Sequence, residues 1–328
     1  MMLLLDRFAR PLKKVRVSVT SRCNIRCVYC HAEGLGDTFE GAIRGRSFDE
    51  ASPREFAALV ARFARLGVRE VKITGGEPTI RQDLEEIILR MSQIDGIDEV
   101  SLVTNGTMLY GRASDLKDAG LSRVNVNFPT VNPKAYRELT GFEIDAAMRG
   151  LRAAKEAGLH PIKLNVLILR GFNETRAEFE RLLRFAADNG FVPQVLELEA
   201  QGWGDDVFDK YHTSLDGFHT YLDSRAIRKR RRSMHKRIIY ELPGGLRVEM
   251  VDPWGNSEFC SNCSRVRIAP DLQLKSCLLR TDNWVPSPHL YSESETRWAI
   301  LEVNRRREPY FSEETRANFA IRALQAVV

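Results

Sequence analysis

From residue 15 onward, short runs rich in Val, Ile and Thr alternate with longer stretches in which apolar positions recur every three or four residues. The short runs predict strands at residues 15–20, 70–74, 99–104, 123–128, 162–169 and 194–199. The longer ones predict helices at 52–66, 83–94, 146–157 and 176–189. Pro53 directly after Ser52 is a start signal, because proline suits the first helical position. Parallel strands need crossover connections, so strand-then-helix repetition implies a parallel sheet. Six such units predict an α/β fold, an incomplete TIM-like barrel open on one side.

After residue 199 the pattern breaks. Gly202, Gly204 and Asp205-Asp206 mark an irregular segment, and strand-like pieces return at 238–242 and 247–251. Pro243-Gly244-Gly245 between them predicts a hairpin turn, and a helical pattern closes the chain. We therefore divide the chain into a partial barrel, residues 1–204, and a C-terminal region, residues 205–328, expected to pack across the open barrel mouth.

Composition narrows the class. Of 328 residues, 43% are hydrophobic and 28% charged, a balance that excludes wholesale disorder. No run approaches the ~20 consecutive apolar residues of a bilayer span. The apolar opening of residues 1–5 stops at Asp6 and Arg7, too soon for a secretory signal. A cytoplasmic protein with no membrane partner is expected. The net charge of +5 is mild, and part of it sits in Arg225, Arg228, Lys229, Arg230, Arg231 and Arg232. This run reads first as a solvated helix face and second as a polyphosphate or nucleic-acid contact. The charge of the whole chain speaks against a nucleic-acid partner.

The six cysteines form two trios, Cys23, Cys27 and Cys30 near one end and Cys260, Cys263 and Cys277 near the other. Without a secretory context, such cysteines point to metal or redox ligands rather than disulfides. The first trio follows the first strand directly, and barrel active sites are built at the C-terminal ends of strands. Three thiolates can hold three irons of a 4Fe–4S cluster and leave the fourth open for chemistry. The bland alternative is a structural zinc site with a distant fourth ligand such as His31.

Cys23-x-x-x-Cys27-x-x-Cys30, with Tyr29 before its last cysteine, resembles the signature of the radical S-adenosylmethionine enzymes. Gly75-Gly76-Glu77-Pro78 after the second strand resembles that superfamily's second motif. The resemblance implies that backbone and carboxylate there hold the methionyl amino group of S-adenosylmethionine. Glycines would let the chain approach a ligand closely. Phe259-Cys260-Ser261-Asn262-Cys263-Ser264-Arg265-Val266-Arg267, then Cys277, is similar to the auxiliary-cluster region of the GTP 3′,8-cyclase family. Residues 6–12 are similar to that family's N-terminal segment, and residues 30–34 and 307–311 look like its archaeal branch.

That resemblance implies two 4Fe–4S clusters, S-adenosylmethionine as cofactor and GTP as substrate in the first step of molybdenum cofactor biosynthesis. By motif position it places substrate contacts at Arg16, Lys72, Thr104, Lys163, Arg265 and Arg267, and cofactor contacts at Tyr29, Gly75, Gly76, Glu77 and Asn127. A triphosphate does need several converging cations, and arginine binds phosphate bidentately. The chain departs from the family pattern at Asn127, where a serine is expected, at Val103 for a threonine, at Gln194 for an arginine, and at Val327-Val328 for a Gly-Gly tail. The implied chemistry is one-electron cleavage of S-adenosylmethionine, hydrogen abstraction from ribose C3′ of GTP, and attack of that carbon on guanine C8. An electron donor such as flavodoxin or ferredoxin is implied, and a homodimer is left open. Two alternatives stand beside this reading: the same radical machinery acting on another nucleotide or a peptide, and a non-catalytic iron–sulfur or zinc sensor that binds nucleic acid.

Overall fold

A computed structural model describes residues 4–31, 50–200, 205–280, 282–286 and 292–311. Residues 32–34, Gly202, Gly204 and the terminal Val327-Val328, all invoked above, lie outside the described residues. Six strands follow in the predicted order: β1 (Lys14–Ser18), β2 (Glu70–Thr74), β3 (Glu99–Thr104), β4 (Arg123–Asn127), β5 (Lys163–Leu167) and β6 (Val192–Leu196). Each is parallel to the one before it. Between them run α1 (Pro53–Arg65), α2 (Leu84–Ser92), α3 (Ala113–Asp118), α4 (Pro133–Thr140), α5 (Ile144–Glu156) and α6 (Arg176–Asn189). Ser52 caps α1 reciprocally with Glu55, each side chain accepting from the other's backbone N–H, and Pro53 opens the helix. Gly190 ends α6 in the left-handed conformation.

Alternation along the strands separates the core from the lumen. Val15, Val17, Val71, Ile73, Val124, Val126, Leu164 and Val166 share one buried cluster with Phe56, Leu59, Phe63, Ile87 and Leu151 of the helices. The intervening Arg16, Lys72, Ser101, Arg123, Asn125, Asn127, Lys163 and Asn165 face a central cavity. Successive strand residues point to opposite faces, so one strand supplies both the greasy outer layer and a polar inner one.

The region after residue 204 contains α7 (Asp205–Tyr211), α8 (Asp216–Asp223), β7 (Arg228–Arg231), β8 (Ile238–Glu241), β9 (Arg247–Val251), α9 (Ser257–Ser261), β10 (Arg265–Ile268), β11 (Leu274–Lys275), β12 (Trp284–Val285) and α10 (Glu293–Arg305). It extends the sheet at both edges. β9 pairs in parallel with β6, and β10 pairs in parallel with β1. The full order is β12-β11-β10-β1-β2-β3-β4-β5-β6-β9-β8-β7. Two further parallel strands thus join the six expected. The last two escaped the count because a five-residue helix, α9, is the only helix between them. Pro243-Gly244-Gly245 does link the antiparallel pair β8–β9.

The basic run is not a helix face. Arg228–Arg231 forms β7, the outer edge of the sheet, with all four side chains exposed. With no apolar alternation to read, only pairing with β8 reveals the strand. Lys229, Arg230 and Arg231 pair with Asp223, Glu241 and Glu258. Those carboxylates offset much of the field that a polyanion would feel, while charges on an edge strand discourage edge-to-edge association.

Candidate active site

A cavity of about 290 Å³ occupies the barrel lumen, with Cys23, Cys27 and Cys30 in its wall. Nine lysine and arginine side chains line it against four glutamates, so its field is strongly positive. The sheet register explains the concentration. Arg267 of β10 lies opposite Arg16 of β1, which lies opposite Lys72 of β2. Neighbouring strands are about 4.8 Å apart, so three cations stand in one row. Burial, together with Arg123, Arg16 and Lys163, pushes the Lys72 ammonium well below the usual lysine range. Such a row is costly without an anion and receptive to one.

A chain of amides runs beside the row. Lys72 Nζ and Arg123 Nη1 both donate to Asn125 Oδ1, at 3.1 and 3.0 Å. Asn125 Nδ2 donates to Asn165 Oδ1 at 3.1 Å, and Asn165 Nδ2 to Asn127 Oδ1 at 2.9 Å. Because lysine and arginine only donate, the chain fixes the orientation of all three amides. The Asn127 amino group ends it in the cavity wall.

Deeper in the sheet, Glu249 of β9 is buried and ion-paired with Lys163, Arg232 and Arg237. Despite burial, the three cations draw its carboxyl down to about 2. The Lys163 ammonium moves in the opposite sense to a simple ion pair, down to about 8. Burial dominates there, and Lys163 shares its single anion with two neighbouring guanidiniums. The asymmetry is physical: the carboxylate faces three opposite charges, the ammonium one.

The glycines of the second motif serve an unexpected neighbour. A Cβ on Gly76 would lie 2.1 Å from the Arg22 carbonyl oxygen, and one on Gly75, whose φ is +154°, would lie 2.5 Å from that of Thr20. The close approach is therefore to the backbone leading into Cys23. Gly76 N–H donates to Thr20 O and Glu77 N–H to Arg22 O, both at 2.8 Å. The Glu77 carboxylate is buried and accepts from Thr79 N–H, the Thr79 and Thr104 hydroxyls and Asn105 N–H. Burial still raises its carboxyl above the ordinary glutamate value. Asn105 Nδ2 then donates to Asn24 Oδ1 at 2.8 Å, tying the end of β3 to the first cysteine loop. Thr104, expected at the substrate, is thus a buried support for Glu77 and does not line the cavity.

The second trio surrounds a smaller cavity of about 60 Å³, which Arg10, Arg265, Arg267 and Arg307 also line. Glu199, His235, Pro253, Phe259, Arg265, Arg267 and Leu278 border both cavities, so the two share one wall. Within each trio the thiols are mutually close. Burial and the neighbouring Cys30 and Cys23 raise Cys27, and burial with Cys277 and Cys263 raises Cys260 to about 11. Thiols raised in this way stay protonated until a cationic centre binds and stabilises their thiolates. Among the described residues no three Cys, His or carboxylate groups meet closely enough to share one ion. A cluster offers each thiolate a separate iron, so its ligands stand farther apart than those of a single ion. Three thiols in each cavity wall are a donor set that fits a cluster.

Apart from Thr104, every expected site residue lies in one of the two cavity walls. Sequence reasoning missed Lys14, Arg123, His235, Arg237 and Glu249, and it named Arg232 only within the basic run, where a polyphosphate contact was the second reading. Arg123 had a signal, its alternation with Val124 and Val126; Arg237 had none.

The comparisons with known proteins agree with this architecture. A model of the radical SAM superfamily matches residues 17–186, and one described as Molybdenum Cofactor Synthesis C matches residues 194–312. A probable GTP 3′,8-cyclase of Methanothermobacter thermautotrophicus is 38% identical over 313 residues, covering 94% of this chain and 98% of its own. That of Archaeoglobus fulgidus is 37% identical over 317 residues, covering 94% and 99%. Streptococcus suis SuiB bound to S-adenosylmethionine superposes with a TM-score of 0.61 at 15% identity, over 83% of this chain and 62% of that longer one. AnSMEcpe with bound AdoMet and Cp18Cys peptide gives 0.60 at 14% identity, over 92% and 85%. Both structures share the fold. No helix among the described residues is long and apolar enough to cross a membrane.

Proposed function

The chain belongs to the GTP 3′,8-cyclase family of the radical SAM superfamily, and from that membership we propose that it converts GTP to (8S)-3′,8-cyclo-7,8-dihydroguanosine 5′-triphosphate, the first step of molybdenum cofactor biosynthesis. The observation that supports GTP is the in-register row Arg267–Arg16–Lys72 in the cavity that also holds the first cysteine trio. Arg16, Lys72, Lys163, Arg265 and Arg267 hold the triphosphate by charge-assisted hydrogen bonds. Arg232 and Arg237 add to the same field from the other side of Glu249.

Cys23, Cys27 and Cys30 hold a first 4Fe–4S cluster, and Cys260, Cys263 and Cys277 a second. Held there, the first cluster would supply one-electron cleavage of S-adenosylmethionine, and the rest is positioning by the chain. Tyr29, Gly75, Gly76, Glu77 and Asn127 hold the cofactor beside the first trio. Glu77 does so mainly by fixing the β3 end and the cysteine loop, since four donors already occupy its carboxylate. The shared wall lets one substrate touch both cavities. Residues 1–204 thus carry the cofactor side and residues 205–328 the second-cluster side of one continuous sheet. The enzyme works in the cytoplasm, fed by a donor such as flavodoxin or ferredoxin, as a monomer or homodimer.

Anaerobic reconstitution with iron, sulfide, dithionite, S-adenosylmethionine and GTP tests the assignment. The expected result is 5′-deoxyadenosine together with a product isomeric with GTP. Cofactor cleavage that leaves GTP unchanged moves the substrate elsewhere, and no cleavage at all removes the radical reading.

A further inference from the structure

His235 follows β7 in a short turn and adopts a left-handed conformation, φ 62° and ψ 3°, and Lys236 after it also has a positive φ, 52°. Two such non-glycine residues in succession are strained and persist only where the surroundings hold them. Here the His235 N–H donates to the Asn262 carbonyl at 3.0 Å, and its ring stacks on Phe259 at 3.8 Å and 25°. The side chain is 3% exposed and borders both cavities. Its Nε2 is buried without a hydrogen-bond partner. A buried polar atom left in that state carries an unmet desolvation cost, which a ligand reaching the shared wall would relieve.

We propose that His235 is a specificity-determining residue that hydrogen-bonds the edge of the substrate's purine base at the wall between the two cavities. The inference rests on the GTP reading and deepens it. Arg265, Arg267 and Glu199 on that wall are charged, so they suit phosphate or a metal-linked group. Burial, reinforced by Arg265, Arg237, Lys14 and Arg267, keeps the imidazole neutral. A neutral imidazole has one donor and one acceptor nitrogen. It adds nothing to phosphate attraction but matches a heterocycle edge, where donors and acceptors alternate. Stacking on Phe259 and the bond to Asn262 fix the ring, so the contact discriminates geometrically.

The test compares GTP with inorganic tripolyphosphate by anaerobic titration calorimetry on the fully reconstituted protein. His235→Phe keeps the stacking and removes both nitrogens. His235→Asn tolerates the left-handed backbone and shortens the reach. The quantity read is the ratio of the two dissociation constants, which a general loss of folded or loaded protein leaves unchanged. In both variants the preference for GTP over tripolyphosphate falls about tenfold, the weight of one well-formed contact, while tripolyphosphate affinity stays at the wild-type value. A preserved preference in either variant, or a parallel loss of both ligands, overturns the assignment. Wild-type protein that shows no preference for GTP overturns the GTP reading itself, a separate outcome.

Discussion

Replacing Gly76 with alanine tests whether the second motif exists to seat the first cysteine loop. An added Cβ would meet Arg22 O at 2.1 Å, Arg22 C at 2.5 Å and Ser21 O at 2.8 Å, all backbone atoms. An ordinary carbon–oxygen contact needs about 3.3 Å, so the two segments must part by roughly 1 Å. Parting them loosens the bonds from Gly76 N–H to Thr20 O and from Glu77 N–H to Arg22 O, each worth about 1 kcal/mol. Overpacking adds about 1–3 kcal/mol, for a total of roughly 3–5 kcal/mol. In a chain of this size that lowers Tm by roughly 4–7 °C. Because Cys23 is the next residue after Arg22, the variant should also lose about four irons, one cluster's worth. Calorimetry and iron analysis of the reconstituted protein measure both effects. A Gly76→Ala protein with wild-type iron and a Tm within about 2 °C of wild type would refute the close-approach argument.

Glu249→Gln leaves Lys163, Arg232 and Arg237 facing one another, so a loss of about 3–5 kcal/mol is expected at pH 7 in denaturant melts. The native carboxyl titrates near 2 instead of the ordinary 4.5, so its contribution is full above pH 4.5 and disappears as pH falls to 2; a variant equal to wild type at pH 7 contradicts this. With the Lys163 ammonium near 8 before binding, a bound triphosphate raises it again, so GTP binding takes up protons and weakens as pH climbs from about 7.5 to 9.5. Calorimetry in buffers of different ionisation enthalpy should register that uptake at pH 8.5, and none there would remove Lys163 from the phosphate site. Cys260→Ser, Cys263→Ser and Cys277→Ser should each keep about four irons and still cleave S-adenosylmethionine while losing GTP conversion. Wild-type protein holding only about four irons would end the two-cluster reading.

The barrel was legible because its two signals are local. β-branched runs such as Glu70–Thr74 and Glu99–Thr104 emerge with the predicted bounds, as does the helix Arg176–Asn189. The cysteine trios and the glycine motif were legible because their chemistry is carried by residue type at fixed spacing. What the glycines do was not: the partner that demands them, the backbone at Thr20–Arg22, lies about fifty residues away along the chain and only parallel pairing of β1 with β2 brings it near. Thr104 misled for the same reason, since Glu77, a residue distant in sequence, captures its hydroxyl.

The basic segment shows where local reading stops. Lys229, Arg230 and Arg231 point into solvent, whereas Arg232, the next residue, ends at the buried Glu249. Nothing in five consecutive cations distinguishes the last. The distinction is made by Glu249 on β9, which the β6–β9 pairing sets opposite Gln194 at the lumen edge. A buried carboxylate cannot remain ionised alone, so it draws in whichever cations the chain can deliver, here Lys163 from β5, Arg232 after β7 and Arg237 before β8. The gathering leaves more positive than negative charge around one carboxylate, and that surplus faces the cavity. Glu249 therefore acts less as a neutraliser than as an anchor that holds three flexible side chains where a polyanion can reach them, and it does so from a strand that no helix-to-strand count would have assigned to the barrel.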